Sequence, residues 1–241
     1  MSYLLQSSVS RLTHSIFGIG ILFFILGFSL SPVSAAATAA ATVKLPATFS
    51  FSVPFTSQAP LAQWNDERQQ DGCEEAAALM AMAWAKGGAP KDKTAWRDKI
   101  VGLSDWENKK YGEYRDISLP DMVSWIFNDY FSFTGATVKT VKGAAAIRKE
   151  LEKGNLVLAP MNGRALKNPY FFAPGPERHM VLIKGYDYKT KQFITNDPGT
   201  RRGENYRYSE SIIFNAIRPY KTGNKKPFGP LKKEVIVIQK N

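Results

Sequence analysis

The stretch Asp71-Gly72-Cys73-Glu74-Glu75-Ala76-Ala77-Ala78-Leu79-Met80-Ala81-Met82-Ala83-Trp84-Ala85-Lys86-Gly87-Gly88 sets the chain's one cysteine at the start of a helix. Alanine, leucine and methionine are the strongest helix formers, and a glycine pair ends such a run. Gly72 permits a tight turn just ahead of it. The composition therefore predicts a helix over Cys73 to Lys86, with the sulfur in its first turn. Unpaired N–H groups and the positive end of the helix dipole favour a thiolate there, and the thiolate is the nucleophilic form. Glu74 and Glu75 suit a first helical turn, yet negative charge beside sulfur raises its pKa unless the carboxylates point away. A lone cysteine is also a common small buried hydrophobe. The local context leaves both readings open.

Outward from this helix the chain divides in character. Phe49 to Phe55 alternates apolar and polar and reads as a strand, and Gln58 to Gly72 as a polar loop. Thr94 to Val101 reads as a short helix capped by Asp92 or Thr94. Ser118 as N-cap, Pro120 in the first turn and Met122, Val123, Trp125, Ile126 and Tyr130 at helical spacing mark another helix. A strand over Thr137 to Val141 and a helix over Gly143 to Lys153 complete the front half. The second half is mostly strand: Asn155 to Ala159, Met180 to Tyr186, Gln192 to Asn196, an edge strand over Tyr206 to Tyr208, and Glu234 to Gln239. A short helix over Ser209 to Ile217 interrupts it. A long loop, Pro160 to Arg178, carries the aromatic patch Tyr170-Phe171-Phe172. A helical front half followed by a mostly antiparallel sheet is the α+β class.

The first residues read differently. Arg11 precedes an apolar run from Ile16 to Leu30 and then Val33-Ser34-Ala35, the pattern of a secretory signal over 1–35. The alternative is an uncleaved membrane anchor, since the alanines after Ala35 can extend the apolar run. Either way the domain is expected outside the cytoplasm, with membrane contact only through this segment. Residues 36–47 read as a flexible linker of small residues, and 48–241 as one domain. With one cysteine, no intrachain disulfide or multi-cysteine zinc site can form. Two histidines, His14 and His179, do not make a histidine-rich metal site, so no metal or cofactor is expected. The net charge of +11 becomes +10 once 1–35 is removed, because Arg11 is the only charged residue there apart from His14. A basic surface favours anionic partners such as cell-wall polymers. No basic-aromatic groove motif points to nucleic acid.

His179 is the only histidine outside the targeting segment, and it opens the strand His179-Met180-Val181-Leu182-Ile183. The next strand ends in Asn196-Asp197-Pro198-Gly199. A hairpin centred near Tyr188 pairs residues whose numbers sum to about 376, which sets His179 opposite Asp197 with Cβ atoms about 5 Å apart. A register shifted by one residue brings Asn196 there instead. Either side chain supplies an oxygen that can fix the imidazole tautomer. Nucleophile, base and orienter then follow the logic of a catalytic triad.

As a set, Val53-Pro54-Phe55-Thr56-Ser57-Gln58, Gly72-Cys73-Glu74, His179 to Asp187 and Asn196-Asp197-Pro198-Gly199 resemble the bacteriocin-processing (double-glycine-leader) peptidase-like branch of the papain-fold cysteine peptidases. The likeness runs from about residue 50 to 220. It implies a papain-like fold whose central helix carries Cys73 as nucleophile, with His179 as base, Asp197 as its orienter and Gln58 sharing the oxyanion hole. The separation of Gln58 from Cys73 exceeds the spacing usual in papain-fold enzymes, so Gln63, Gln69 and Gln70 stay open as substitutes. No transporter segment follows, and leader cleavage coupled to transport is not expected. The resemblance implies an exported, monomeric thiol hydrolase acting on a peptide or protein. Two alternatives stand beside it: a cell-wall peptide amidase or endopeptidase with the same triad, and a non-catalytic binding module on the same fold.

Overall fold

The computed structural model describes residues 46–240. The signal or anchor over 1–35 and most of the 36–47 linker lie outside the described residues. The protein is α+β: seven strands form an antiparallel sheet, and helices cover both of its faces. In chain order the elements are β1 Thr48–Ser50, α1 Glu67–Gln70, α2 Cys73–Lys86, α3 Lys93–Tyr111 and α4 Leu119–Asp121, which runs into a π-helical segment, Met122–Tyr130. There follow β2 Ala136–Thr140, α5 Ala144–Glu152, β3 Leu156–Met161, α6 Gly163–Leu166, β4 His179–Asp187, β5 Gln192–Asn196, β6 Tyr206–Ser209, α7 Glu210–Ala216 and β7 Glu234–Ile238. The strand order is β2-β7-β3-β4-β5-β6, so the last strand of the chain slots between the second and third. One edge of β4 is shared, pairing with β3 over 179–183 and with β1 over 185–187.

The apolar runs in β3, β4 and β7 are unbroken because both faces of the sheet are buried. Leu156, Leu158, Met180, Leu182, Ile236 and Ile238 pack with α2, α3 and the π-helical segment. Their alternating neighbours Val157, Ala159, Val181, Ile183, Val235 and Val237 pack with α5 and α7. Each such fully buried aliphatic side chain contributes about 1.5–3 kcal/mol. From Cys73 to Met82 every residue of α2 is buried, charged ones included, so α2 is an interior helix rather than an amphipathic surface one.

Local signals fared unevenly. The helix over Cys73–Lys86 and the strand over Gln192–Asn196 begin and end where the pattern predicts. Gly72 matters for a reason other than turn freedom: its φ is −84°, but a Cβ there would lie 2.5 Å from the Arg68 carbonyl oxygen. The helix expected over Thr94 to Val101 runs on to Tyr111, through Gly102, with Asp92 as the cap. Buried Trp96, Ile100, Leu103 and Glu107 along one stripe hold it against the core. The strand expected from Phe49 to Phe55 is only Thr48–Ser50. Beyond it the chain leaves the sheet to run toward the site, tied by the Phe51 N–H donating to the Lys184 carbonyl at 2.9 Å. The helix begun at Ser118 widens into π geometry, which places Met122, Ile126 and Phe127 together in the core.

Candidate active site

Two segments converge on the N-terminal end of α2. The first is residues 53–58. Met80 Sδ on α2 accepts from the Thr56 N–H at 3.4 Å, and the Gln58 N–H donates to the Pro198 carbonyl at 2.8 Å. The second is the β4–β5 end with the turn Asp197-Pro198-Gly199. Together they wall a cavity of about 1390 Å³ that is lined by Cys73, His179 and Gln58 among others.

The hairpin register differs from the expected one. Leu182 faces Asn196 and Tyr186 faces Phe193, with a bulge between Ile183 and Gly185, so pairing is displaced by two to three residues. The turn is centred between Lys189 and Thr190 rather than near Tyr188, with Asp187 Oδ1 accepting from the N–H groups of both. His179 and Asp197 are therefore not directly opposed. They meet because Asp197 lies past the end of β5, where its own N–H donates to the Gly203 carbonyl and the chain turns back.

The His179 ring donates from Nε2 to Asp197 Oδ1 at 2.7 Å. Both side chains are buried. With a carboxylate on Nε2 that nitrogen carries the proton, leaving Nδ1 as the nitrogen able to accept one. The Gly199 N–H also donates to Oδ1, at 3.0 Å. Oδ2 takes the Tyr208 hydroxyl at 2.5 Å and Asn168 Nδ2 at 3.3 Å. Asn168 Nδ2 donates to the Tyr208 oxygen at 2.7 Å as well. Burial works to raise the Asp197 pKa, but the charge and hydrogen bond of His179, the Tyr208 hydroxyl and the Gly199 N–H outweigh it and hold the carboxyl below its usual value. Asn196 does something else. Its Nδ2 donates to the Val53 and Pro54 carbonyls at 3.2 and 3.3 Å, anchoring the segment that carries Gln58.

Gln58 reaches the cavity wall with its amide already engaged. Nε2 donates to the carbonyls of Gln69 and Gln70 at 3.0 and 2.7 Å, and Oε1 is buried without a partner. Of the substitutes, Gln70 lines the cavity and is exposed, Gln69 is fully buried, and Gln63 accepts from Arg97 at 3.1 Å in an exposed contact.

Of the two opposing local influences on Cys73, the helix dipole and the neighbouring carboxylates, the carboxylate side is the one in contact with the sulfur. The thiol donates to Glu74 Oε2 at 3.0 Å, and Glu74 Oε1 accepts from the Tyr220 hydroxyl at 2.5 Å. No hydrogen bond joins the sulfur to His179. Burial pushes the Cys73 pKa well up, and the charge and hydrogen bond of Glu74 and the charge of Glu75 push it further, against the Met180 N–H. The Glu74 carboxyl does not point away from the sulfur, and its nearness works against the helix dipole. Behind them Ser104 donates to Glu75 Oε1 at 2.7 Å, while both carboxyl oxygens of buried Glu107 lack a partner. Burial and the charge of Glu74 raise Glu75, and burial with the charges of Glu75 and Glu74 raises Glu107, both well above the carboxyl range.

Sequence reasoning did not find Asn168, Tyr208 or Tyr220. Tyr208 reads as an ordinary edge-strand aromatic, and Asn168 lies in a loop whose course no local signal gives. Tyr220 stands 146 residues from the carboxylate it binds.

Comparison with known proteins gives a family likeness and likenesses to solved structures. The Peptidase_C39 like family matches residues 52–221, a span that holds Cys73, His179 and Asp197 with Asn168, Tyr208 and Tyr220. A crystal structure described as that of a C39-like peptidase from Bacillus anthracis is similar over 79% of this chain and 96% of that one, at 16% sequence identity and a TM-score of 0.49. No curated protein matches.

Proposed function

The chain belongs to the Peptidase_C39 like family, and from that premise we propose that it is an exported cysteine peptidase of papain-like descent. The observation that carries the reading is the buried His179–Asp197 pair, 2.7 Å apart, in the cavity that also receives the N-terminal end of the Cys73 helix. In the mechanism, Cys73 gives its proton to His179 Nδ1 and its sulfur attacks the scissile carbonyl. His179 returns the proton to the leaving amine, and water then releases the acyl group. Asp197 holds the tautomer and stabilises the imidazolium. The oxyanion meets the Cys73 N–H, a first-turn amide of α2, and Gln58 Nε2 once the amide lets go of one carbonyl.

The cavity rim supports a peptide substrate with bulky apolar side chains. Of the five exposed large hydrophobic residues in the described chain, Leu61, Trp64, Tyr170 and Phe172 all line this cavity. They form two lips, one before α1 and one before β4. Phe172 is 98% exposed, which fits a surface for substrate.

The test is hydrolysis of casein by the full chain, by Cys73→Ala and by His179→Ala, with circular dichroism as the check on folding. Loss of turnover in both folded variants is expected, and turnover retained by Cys73→Ala ends this mechanism. A second reading changes the substrate to cell-wall stem peptides. Six lysine or arginine residues against four carboxylates line the cavity, which suits an anionic chain. Digestion of purified peptidoglycan beside casein separates the two. Binding of either polymer without turnover would assign the fold to a non-catalytic module instead.

A further inference from the structure

Glu74 is the one ionisable group in direct contact with the sulfur, and the triad does not use it. Its two oxygens are held from opposite sides, Oε2 by the Cys73 thiol at 3.0 Å and Oε1 by the Tyr220 hydroxyl at 2.5 Å. The residue is 1% exposed, so the carboxyl cannot swing to solvent. The titratable groups facing it are Cys73 and Glu75 on α2, Glu107 on α3, Asp116 in the segment after α3, and Tyr220 after α7. None of these is cationic. A carboxylate and a thiolate at this separation, away from water, repel strongly, and such a pair accommodates a single negative charge.

We propose, on the reading of Cys73 as the nucleophile, that Glu74 is its positioning residue, and that the reactive thiolate forms only when Glu74 carries a proton. In the resting state Cys73 is a thiol, Glu74 a carboxylate and His179 a neutral imidazole. Uptake of one proton from solvent neutralises Glu74. The thiol proton then passes to His179 Nδ1, the O–H of Glu74 turns to donate to the sulfur, and the site holds thiolate, carboxylic acid and imidazolium. One proton has been added and none lost. Tyr220 fixes the far oxygen, so Oε2 is the atom that exchanges its role from acceptor to donor. Burial, which pushes the Glu74 pKa up to about 7, puts this uptake in the neutral range.

The consequence is unusual for a thiol: reactivity falls as pH rises through neutrality, where an isolated cysteine becomes more reactive. The experiment is the alkylation rate of Cys73 by iodoacetamide from pH 5 to 9, on the full chain and on Glu74→Gln, Tyr220→Phe and His179→Ala. Wild type should lose reactivity above about pH 7. Glu74→Gln keeps a neutral amide of the same shape and should lack the falling limb, reacting at least tenfold faster than wild type at pH 8.5. Tyr220→Phe removes the donor that favours the Glu74 carboxylate, and should move the falling limb to higher pH. A merely structural role for either residue would lower the melting temperature without moving the limb. A wild-type rate that rises steadily with pH, or a limb unmoved in folded Glu74→Gln or Tyr220→Phe, overturns the proposal. The assay needs no peptide substrate, so failures are separable. A profile altered by His179→Ala but not by Glu74→Gln overturns the Glu74 role and leaves the peptidase reading standing. The converse supports Glu74 and removes His179 as the partner base.

Discussion

Tyr208→Phe isolates what holds the orienting carboxylate. The change deletes one hydroxyl that donates to Asp197 Oδ2 at 2.5 Å and accepts from Asn168 Nδ2 at 2.7 Å. The ring keeps its volume, so the cost is that of hydrogen bonds rather than of a cavity. A bond to a charged acceptor contributes about 1.5–3 kcal/mol and a neutral one about 0.5–1.5 kcal/mol. Asn168 Nδ2 already stands 3.3 Å from Oδ2 and can close on it, recovering part of the loss. A net destabilisation of about 2–3 kcal/mol is expected, which lowers the melting temperature by about 4–12 °C for a domain of this size. The sign with pH follows from Asp197, whose folded pKa is depressed. Its stabilisation is present above the unfolded carboxyl value, about 3.9, and disappears as pH falls through the folded value. The gap between variant and wild type should therefore be full at pH 7 and shrink in acid. Hydrolysis should fall about tenfold, or about 1.4 kcal/mol, because Oδ1 still holds His179. Thermal melts at several pH values test this. A melting temperature within about 1 °C of wild type at pH 7, or a gap that does not change in acid, would refute the assignment of Tyr208 to Asp197.

Asp197→Asn and Asn196→Ala should separate sharply. The first removes the negative charge and puts an NH2 donor in place of one of two oxygens that each face two donors, which disturbs the His179 tautomer and should cost about 10³–10⁴ in turnover. The second frees the Val53–Pro54 segment and should lower stability with much smaller loss of rate per folded molecule. Gly203→Ala should fail to fold or lose at least about 3 kcal/mol, since its Cβ would lie 1.8 Å from the Asp197 carbonyl oxygen. Gly102→Ala, with nothing within 4 Å of its Cβ, should be neutral or stabilise α3 by about 0.5–1 kcal/mol in chemical denaturation. Stability should also fall with rising pH. The Glu74 pKa stands at about 7 folded against 4.5 ordinarily, so the folded form binds the extra proton, and its contribution, complete below about 4.5, is lost by about pH 7. That amounts to about 3 kcal/mol. Glu107→Gln, which removes a second buried carboxyl raised in the same direction, should flatten the decline seen in melts from pH 5 to 8.

What the sequence by itself determined is what near neighbours decide. The alanine run bounded by glycine pins α2 and sets Cys73 at its first position. Apolar runs mark β3, β4, β5 and β7, and Asp-Pro-Gly marks the turn after β5. The pairing of His179 with a strand-end oxygen was also legible, although the choice between Asn196 and Asp197 was not. The tertiary structure decided that choice, because Asn196 is drawn to two carbonyls of a segment more than a hundred residues earlier in the chain. It also decided the hairpin register, the place of β7 inside the sheet, and the Tyr208 and Asn168 partners of Asp197. Above all it decided the state of Cys73. Helix position favours a thiolate and the two first-turn glutamates oppose it, and a local pattern registers only the dipole and the residue types. Whether Glu74 faces the sulfur, and whether Tyr220 arrives behind it, depends on which surfaces are buried together. Desolvation and contacts across distant segments act only once the chain has packed, so no local pattern can carry them.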